Sequence, residues 1–81
     1  MENNLSIVKN TFKELPNNIE AEQAVIGSIL VQNEIFDEIN TIVSNINFFD
    51  PMHQNIFSAI ESLIYKGMLA NPITLKNYFE N

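Results

Sequence analysis

Cysteine and arginine are absent from this 81-residue chain, and glycine occurs only twice. Without cysteine there is no disulfide framework and no zinc cluster built on thiolates. With Gly27 and Gly67 as the only glycines, these residues contain no Gly-x-x-x-x-Gly-Lys-Ser/Thr phosphate loop. Stability must therefore come from the packing of apolar side chains, and nucleotide binding through such a loop is excluded.

Positive charge is also scarce, since four lysines accompany ten acidic residues and the formal net charge is −6. This balance repels a phosphate backbone, so direct nucleic-acid binding is disfavoured and a protein partner is the better expectation. After Asn18 the only cations are Lys66 and Lys76. The basic recognition helix of a helix-turn-helix DNA reader is therefore missing.

Long apolar runs are lacking as well. The longest run falls far short of the roughly 20 residues that a membrane span needs, and the start Met1-Glu2-Asn3-Asn4 lacks the basic residues of a signal peptide. Hydrophobic residues make up 46% of the chain and charged residues 17%, which favours a folded core over disorder. We expect one small, soluble, cytoplasmic domain.

The apolar residues that are present recur with the period of a helix, and no segment alternates convincingly with period two. This pattern predicts an all-α fold, a compact orthogonal cluster of about four to five short helices. Residues 1–15 are expected to be a flexible arm, although they also fit a transient partner-binding helix with Leu5, Val8, Phe12 and Leu15 on one face. Pro16 closes this segment, and residues 16–81 form the predicted domain.

Asparagines mark the starts of the first two predicted helices. Asn17 or Asn18 can cap the first helix, and Asn17 with Glu20 has the spacing of a capping box. On this helix Ala21, Val25, Ile29 and Gln32 form one row, and Ile26 and Leu30 widen the apolar face. Asn33 is expected to cap the second helix, whose stripe of Ile35, Ile39, Ile42 and Ile46 is flanked by Phe36 and Val43.

Prolines mark the starts of the third and fourth helices. Asp50 can act as cap with Pro51 at the first helical position, where proline loses no hydrogen bond. The apolar face of the third helix is expected to comprise Ile56, Phe57, Ile60, Leu63 and Ile64, and Lys66-Gly67 to end it. Asn71-Pro72 should start a fourth helix in which Ile73, Leu75, Tyr78 and Phe79 point inward.

Candidate catalytic or metal-binding residues are few. His53 is the only histidine; without cysteine or a second histidine it forms no plausible zinc site, and no nucleophile lies at motif spacing. Glu20 and Glu22 point to different faces of a helix, so we interpret them as a solvated first turn rather than an acid–base pair. Gly27-Ser28 lies in the middle of a helix, where packing is its expected role. We therefore expect no catalytic, cofactor-binding or metal site.

Three ordered motifs resemble the amino-terminal domain of DnaB-type replicative DNA helicases, over about residues 15–81. They are NIEAEQAVIGSIL from Asn18 to Leu30, FFDPMHQNIF from Phe48 to Phe57, and the segment from Gly67 to Phe79. The structural signature comprises Glu20, Glu22, Gln23, Gly27, Phe48, Asp50, Pro51, His53, Ile56, Phe57, Gly67, Thr74 and Leu75. Two departures are Phe49, where the family has tyrosine, and Ala70-Asn71-Pro72, where it usually has Ile-Asp and no proline.

The resemblance implies a hexameric, ATP-driven 5′–3′ DNA helicase of the bacterial cytoplasm whose motor, with its ATP and magnesium, lies outside these residues. The chain would then be a collar domain, incomplete at its carboxy end, that pairs helicase subunits and docks primase without catalysis or a cofactor of its own. In the family, small residues at the place of Gly27 let another helix approach closely. The resemblance does not assign the partner-binding residues.

Other interpretations remain open at this point. The chain could be a free-standing helical adaptor or decoy that binds primase or the helicase ring, and the downstream reading frame would distinguish the two. A DNA reader and an enzyme fit the sequence less well. If further helices are missing, the apolar faces left open predict either a homodimer or a marginally stable monomer.

Overall fold

The computed structural model describes residues 18–80, which form helices and turns without a strand. In chain order the elements are α1 (Ile19–Val31), a 3₁₀ turn (Asn33–Ile35), α2 (Phe36–Asn40), a second 3₁₀ turn (Asn45–Asn47), α3 (Pro51–Tyr65) and α4 (Pro72–Glu80). The predicted all-α fold is confirmed for this part of the chain. The expected arm at residues 1–15 and the capping box at Asn17 lie outside the described residues. None of the described helices is both long and apolar enough to cross a membrane.

Side-chain caps begin three of the helices where the sequence predicts them. Asn18 accepts a hydrogen bond from the backbone N–H of Ala21 at 2.9 Å, and Asp50 accepts one from Met52 at 2.8 Å. Asn71 accepts from the N–H groups of Ile73 and Thr74, both at 2.9 Å. These bonds satisfy amide groups that have no partner inside a helix, and so they fix where each helix starts.

The core is centred on aromatic rings from three elements. The ring of Phe57 on α3 lies 5.4 Å from that of Phe36 on α2 and 5.1 Å from that of Phe48, which follows the second 3₁₀ turn. The buried apolar set is Val25, Ile26, Ile29, Phe36, Ile39, Val43, Phe48, Phe57, Ala59, Ile60, Leu63, Ala70 and Leu75. The predicted face of α3 is confirmed, with its outer members Ile56 and Ile64 partly buried.

The second predicted helix is shorter than its isoleucine stripe indicates, because α2 ends at Asn40. The hydroxyl of Thr41 donates to the carbonyl of Glu38 at 2.6 Å, and Ser44 and Asn47 form a reciprocal capping box that begins a new turn. Polar side chains that bond to nearby backbone compete in this way with helix continuation. Ile46 consequently lies on the surface, 78% exposed.

The prediction that Asn33 caps the second helix is wrong. Its side-chain amide donates to the carbonyl of Ile29 at 2.7 Å and to that of Ala70 at 3.0 Å, and its oxygen accepts from the N–H of Ala70 at 2.8 Å. The amide therefore pairs with the backbone of a residue 37 positions away. It connects the end of α1 to the loop before α4, and α2 begins without a side-chain cap.

The helix end at Lys66-Gly67 is confirmed, but the inward face predicted for α4 is largely wrong. Gly67 has φ +80°, and the N–H groups of Gly67 and Met68 bond back to Ile64 and Leu63, which is the arrangement that commonly closes a helix at glycine. On α4 only Leu75 is buried. Ile73, Tyr78 and Phe79 are exposed, since the described residues place no element against that side of the helix.

Candidate functional site

The least expected side chain in the interior is the carboxylate of Glu22, on the core-facing side of α1. Only 1% of this residue is exposed. It shares its helix face with Val25, Ile26 and Ile29, which are three, four and seven positions further along the chain and are also buried. A carboxylate at such a position must be hydrogen-bonded, because an unpaired buried charge is strongly destabilising.

The Glu22 carboxylate receives its partners from the start of α3. Its Oε2 accepts the backbone N–H of Phe49 at 2.6 Å, and its Oε1 accepts that of Asp50 at 3.3 Å. Oε1 also lies 2.8 Å from Nδ1 of His53. The positive end of the α3 dipole adds to this attraction. One side chain of α1 therefore holds the turn that begins α3, and we name Glu22, His53 and these two amide groups the carboxylate anchor.

His53 completes the anchor from the first turn of α3. The residue is buried, and its ring meets that of Phe48 edge to face at 6.4 Å between centroids. The side chain of Gln54, next along the helix, donates to the carbonyl of Phe48 at 2.7 Å. No buried side-chain nitrogen or oxygen of the described residues lacks a hydrogen-bond partner. The arrangement is that of a structural joint, because the chain itself supplies the partners of the Glu22 carboxylate.

The prediction that Glu22 belongs to a solvated first turn is wrong, whereas Glu20 is exposed as expected. The signal was present in the spacing, since Glu22 begins the same row that Val25, Ile26 and Ile29 continue. Reasoning from charge placed it in water, and reasoning from position would have placed it in the core. The pairing with His53, 31 residues away, has no counterpart in local spacing.

The structure brings part of the signature together and leaves the rest apart. Glu22, Phe48, Asp50 and His53 meet at the anchor, with Pro51 beside them as the first residue of α3. Phe57 lies in the centre of the core, Ile56 is partly buried, and Gly67, Thr74 and Leu75 lie at the opposite end of α3 and on α4. Gln23 is exposed on α1. Sequence reasoning missed the long-range role of Asn33, for which local spacing gives no signal.

Within residues 18–80, no other helix makes close contact with α1 at Gly27. A Cβ atom placed on this glycine would meet no heavy atom of the described part within 4 Å. Within residues 18–80 there is also no group of three histidine, cysteine or acidic residues placed to hold a metal ion.

Comparison with known proteins gives a consistent result. Residues 14–81 match the model of the DnaB-like helicase N terminal domain. The chain is similar to the replicative DNA helicase DnaB of Rickettsia typhi, at 41% identity over 81 residues that cover 93% of this chain and 16% of that protein. It is similar to the Rickettsia prowazekii protein of the same name, at 42% identity over 94% of this chain and 15% of the relative. The chain therefore spans about 15% of the length of these relatives. No solved structure matches it.

Proposed function

Since the chain belongs to the DnaB-like helicase N-terminal domain family, we propose that it acts in bacterial DNA replication as a protein-interaction module. In this role it pairs helicase subunits and docks primase, in the bacterial cytoplasm where replication takes place. The observation that carries the proposal is the family match over residues 14–81. Unwinding itself would belong to a motor in a longer parent protein.

We propose no catalytic role for the residues of this chain. The only histidine and its carboxylate partner are buried and bond to each other and to the backbone at the start of α3. A general acid or base must instead reach a substrate in an accessible site. We therefore propose that the chain requires no cofactor, and that ATP and magnesium bind the motor of the parent protein.

Charge supports a protein partner over DNA. The chain carries a formal net charge of −6, and an acidic surface gains nothing from the counterion release that supplies most non-specific affinity for DNA. A folded acidic module with exposed apolar residues is instead suited to recognising another protein surface.

The test is binding of the purified chain to purified primase from the same bacterium, measured by biolayer interferometry. We expect saturable binding to primase and none to a single-stranded oligonucleotide at physiological salt. An unrelated acidic helical domain of similar size serves as the control for charge-driven adsorption. Absence of primase binding, with the chain shown to be folded by circular dichroism, would contradict the docking role. The reading frame downstream in the genome distinguishes a helicase collar, which continues into a phosphate loop, from a free-standing adaptor.

A further inference from the structure

Three large apolar side chains are exposed around the start of α3. Ile46 is 78% exposed, Phe49 58% and Met52 66%. They lie in one short stretch of the chain, from the second 3₁₀ turn to the first turn of α3. Exposed apolar side chains that are grouped in this way commonly mark a contact surface. We name these three residues the Phe49 surface.

The Phe49 surface lies beside the amino end of α1, where residues 1–17 join the domain. Glu22, in the first turn of α1, accepts the backbone N–H of Phe49 at 2.6 Å. Asn18, the cap of α1, is one turn earlier. Residues 1–17 lie outside the described part of the chain, but covalent geometry keeps Leu15 within about 11 Å of Asn18. The amino-terminal segment therefore starts next to the Phe49 surface.

The chain on the carboxyl side of α3 is attached at the other end of α1. Ala70, which precedes α4, pairs with Asn33 just beyond the carboxyl end of α1. The 13 residues of α1 make it about 20 Å long, so its two ends are well separated. Since α4 begins at the far end, the position of attachment favours the amino-terminal segment as the occupant of the Phe49 surface.

The sequence of the amino-terminal segment contains an apolar stripe that suits such a surface. Leu5, Val8, Phe12 and Leu15 recur at helical spacing. A helix of about ten residues is marginal in water unless its apolar face packs against another element. Pro16 disfavours a helical conformation at the residue before it, so a helix formed by this stripe would be separated from α1 and could turn back onto the domain.

Charge favours the chain's own segment over a second copy of the domain. Residues 18–80 carry eight carboxylates and two lysines, so two copies would bring like charges together. The other two lysines of the chain, Lys9 and Lys13, are in the amino-terminal segment. They are four positions apart and would be neighbours on a helix. Glu20, exposed in the first turn of α1, lies close to where this segment joins the domain.

We propose that residues 5–15 dock as an amphipathic helix on the Phe49 surface of the same chain. In this contact the ring of Phe12, within the apolar stripe, packs against Phe49 and Met52. The helix covers the apolar surface at the amino ends of α1 and α3. This inference goes beyond the proposed function because the contact needs no other protein. A partner that binds the Phe49 surface must first displace the helix.

The absence of cysteine allows a single spin label to be attached at an introduced cysteine, Asn10→Cys. This position is on the opposite side of the helix from the apolar stripe, so the label leaves the contact intact. NMR of the isotope-labelled 81-residue chain then compares the oxidised and the reduced label. We expect strong paramagnetic broadening of the amide signals of Phe49 and Met52 and none at Ile73 on α4.

Matched variants separate docking from mere tethering, because an eight-residue tether alone keeps the label within about 16 Å of the start of α1. Phe12→Asp should remove most of the broadening, whereas Ser6→Asp, off the stripe, should leave it unchanged. Phe49→Ser should act like Phe12→Asp, and Ile73→Ser should have no effect. Hydrogen exchange of residues 8–15 should be slowed at least ~10-fold relative to Phe12→Asp. The melting temperature of each variant shows whether it is folded.

Several results would overturn the inference. Equal broadening in Phe12→Asp and the parent chain would mean that the stripe makes no contact, and unprotected amides at residues 8–15 would exclude a docked helix. Full broadening in Phe49→Ser would mean that the surface is wrong. Broadening that appears only when isotope-labelled chains are mixed with spin-labelled ones would assign the contact to a second copy. Each of these results leaves the proposed function unaffected.

Discussion

The two ends of α3 are attached to the rest of the domain in different ways. At its amino end the buried Glu22 carboxylate accepts two backbone N–H groups and pairs with His53. At its carboxyl end the chain turns at Gly67 and continues into α4, of which only Leu75 is buried. The amino end is fixed by a desolvated charge. The carboxyl end is fixed by the buried side chain of Leu75 and by the pairing of the Asn33 amide with the backbone of Ala70.

This difference predicts how the two ends respond to damage. When one partner of a buried charge is removed, the charge is left unpaired in the interior, and this strongly destabilises the fold. An element that buries a single side chain can open at small cost, because little apolar surface is exposed when it does. We therefore expect the amino end of α3 to open only with the whole domain and α4 to open locally.

The largest effect is expected from Phe57→Ala, which tests the core that both ends share. The ring of Phe57 contacts those of Phe36 and Phe48, and the residue is 1% exposed. Its truncation leaves a cavity, and we expect a loss of about 3 to 5 kcal/mol in the free energy of unfolding. Urea unfolding monitored by circular dichroism measures it. A loss below about 1 kcal/mol would mean that the ring is not at the centre of the core.

Glu22→Gln should be nearly as destabilising as Phe57→Ala, with an expected loss of about 3 kcal/mol in the free energy of unfolding. The amide removes the charge that faces His53 and places an NH₂ group where one of the carboxylate oxygens accepted hydrogen bonds. Glu20→Gln is the matched control, since Glu20 lies on the same helix and is exposed. It should change the free energy of unfolding by less than about 0.5 kcal/mol. Equal effects of the two substitutions in urea unfolding would refute the anchor.

Several parts of this architecture were readable from the sequence because they depend on neighbouring residues. Asp50-Pro51 and Asn71-Pro72 predicted helix starts, and Gly67 a helix end, since caps and turns are decided within a few positions. The prediction of a helix that continues to Ile46 was wrong, because Thr41 and Ser44 form local hydrogen bonds with the backbone and with Asn47 that interrupt the helix. The spacing of the apolar residues contains no information about such competition between local hydrogen bonds and the helix.

Contacts across the chain were not readable in the same way. Glu22 reaches a histidine 31 positions away, and Asn33 reaches a backbone 37 positions away. Both were assigned local roles, because a polar residue near a helix start is usually a cap or a solvated charge. Both instead bond to groups brought near by the packing of helices. Tertiary packing thus decides the roles of polar side chains that composition would leave in water.

Asn33→Ala tests how the carboxyl end of α3 is held. We expect an intermediate loss of about 2 kcal/mol in the free energy of unfolding. The substitution removes three hydrogen bonds and leaves the buried N–H and carbonyl of Ala70 without that partner. Asn40→Ala is the matched control, because Asn40 makes a single exposed bond of 3.4 Å to the hydroxyl of Tyr65. Hydrogen exchange should show faster exchange in α4 for Asn33→Ala and no change for the control. Unchanged exchange in α4 would mean that the amide pairing does not hold this helix.

The smallest effect is expected on the exposed side of α4, where Ile73→Ser should change the free energy of unfolding by less than about 0.5 kcal/mol. Ile73 is 72% exposed, so the substitution removes almost no buried apolar area from the folded chain. Leu75→Ser, two positions along the same helix, is the matched comparison. Leu75 is buried, and its loss should cost about 2 kcal/mol or more. If Ile73→Ser proved as costly as Leu75→Ser in urea unfolding of dilute protein, then α4 packs on both sides. If the cost appeared only at high protein concentration, the exposed side of α4 would be covered by another copy of the chain, since association stabilises the folded state more as the protein concentration rises.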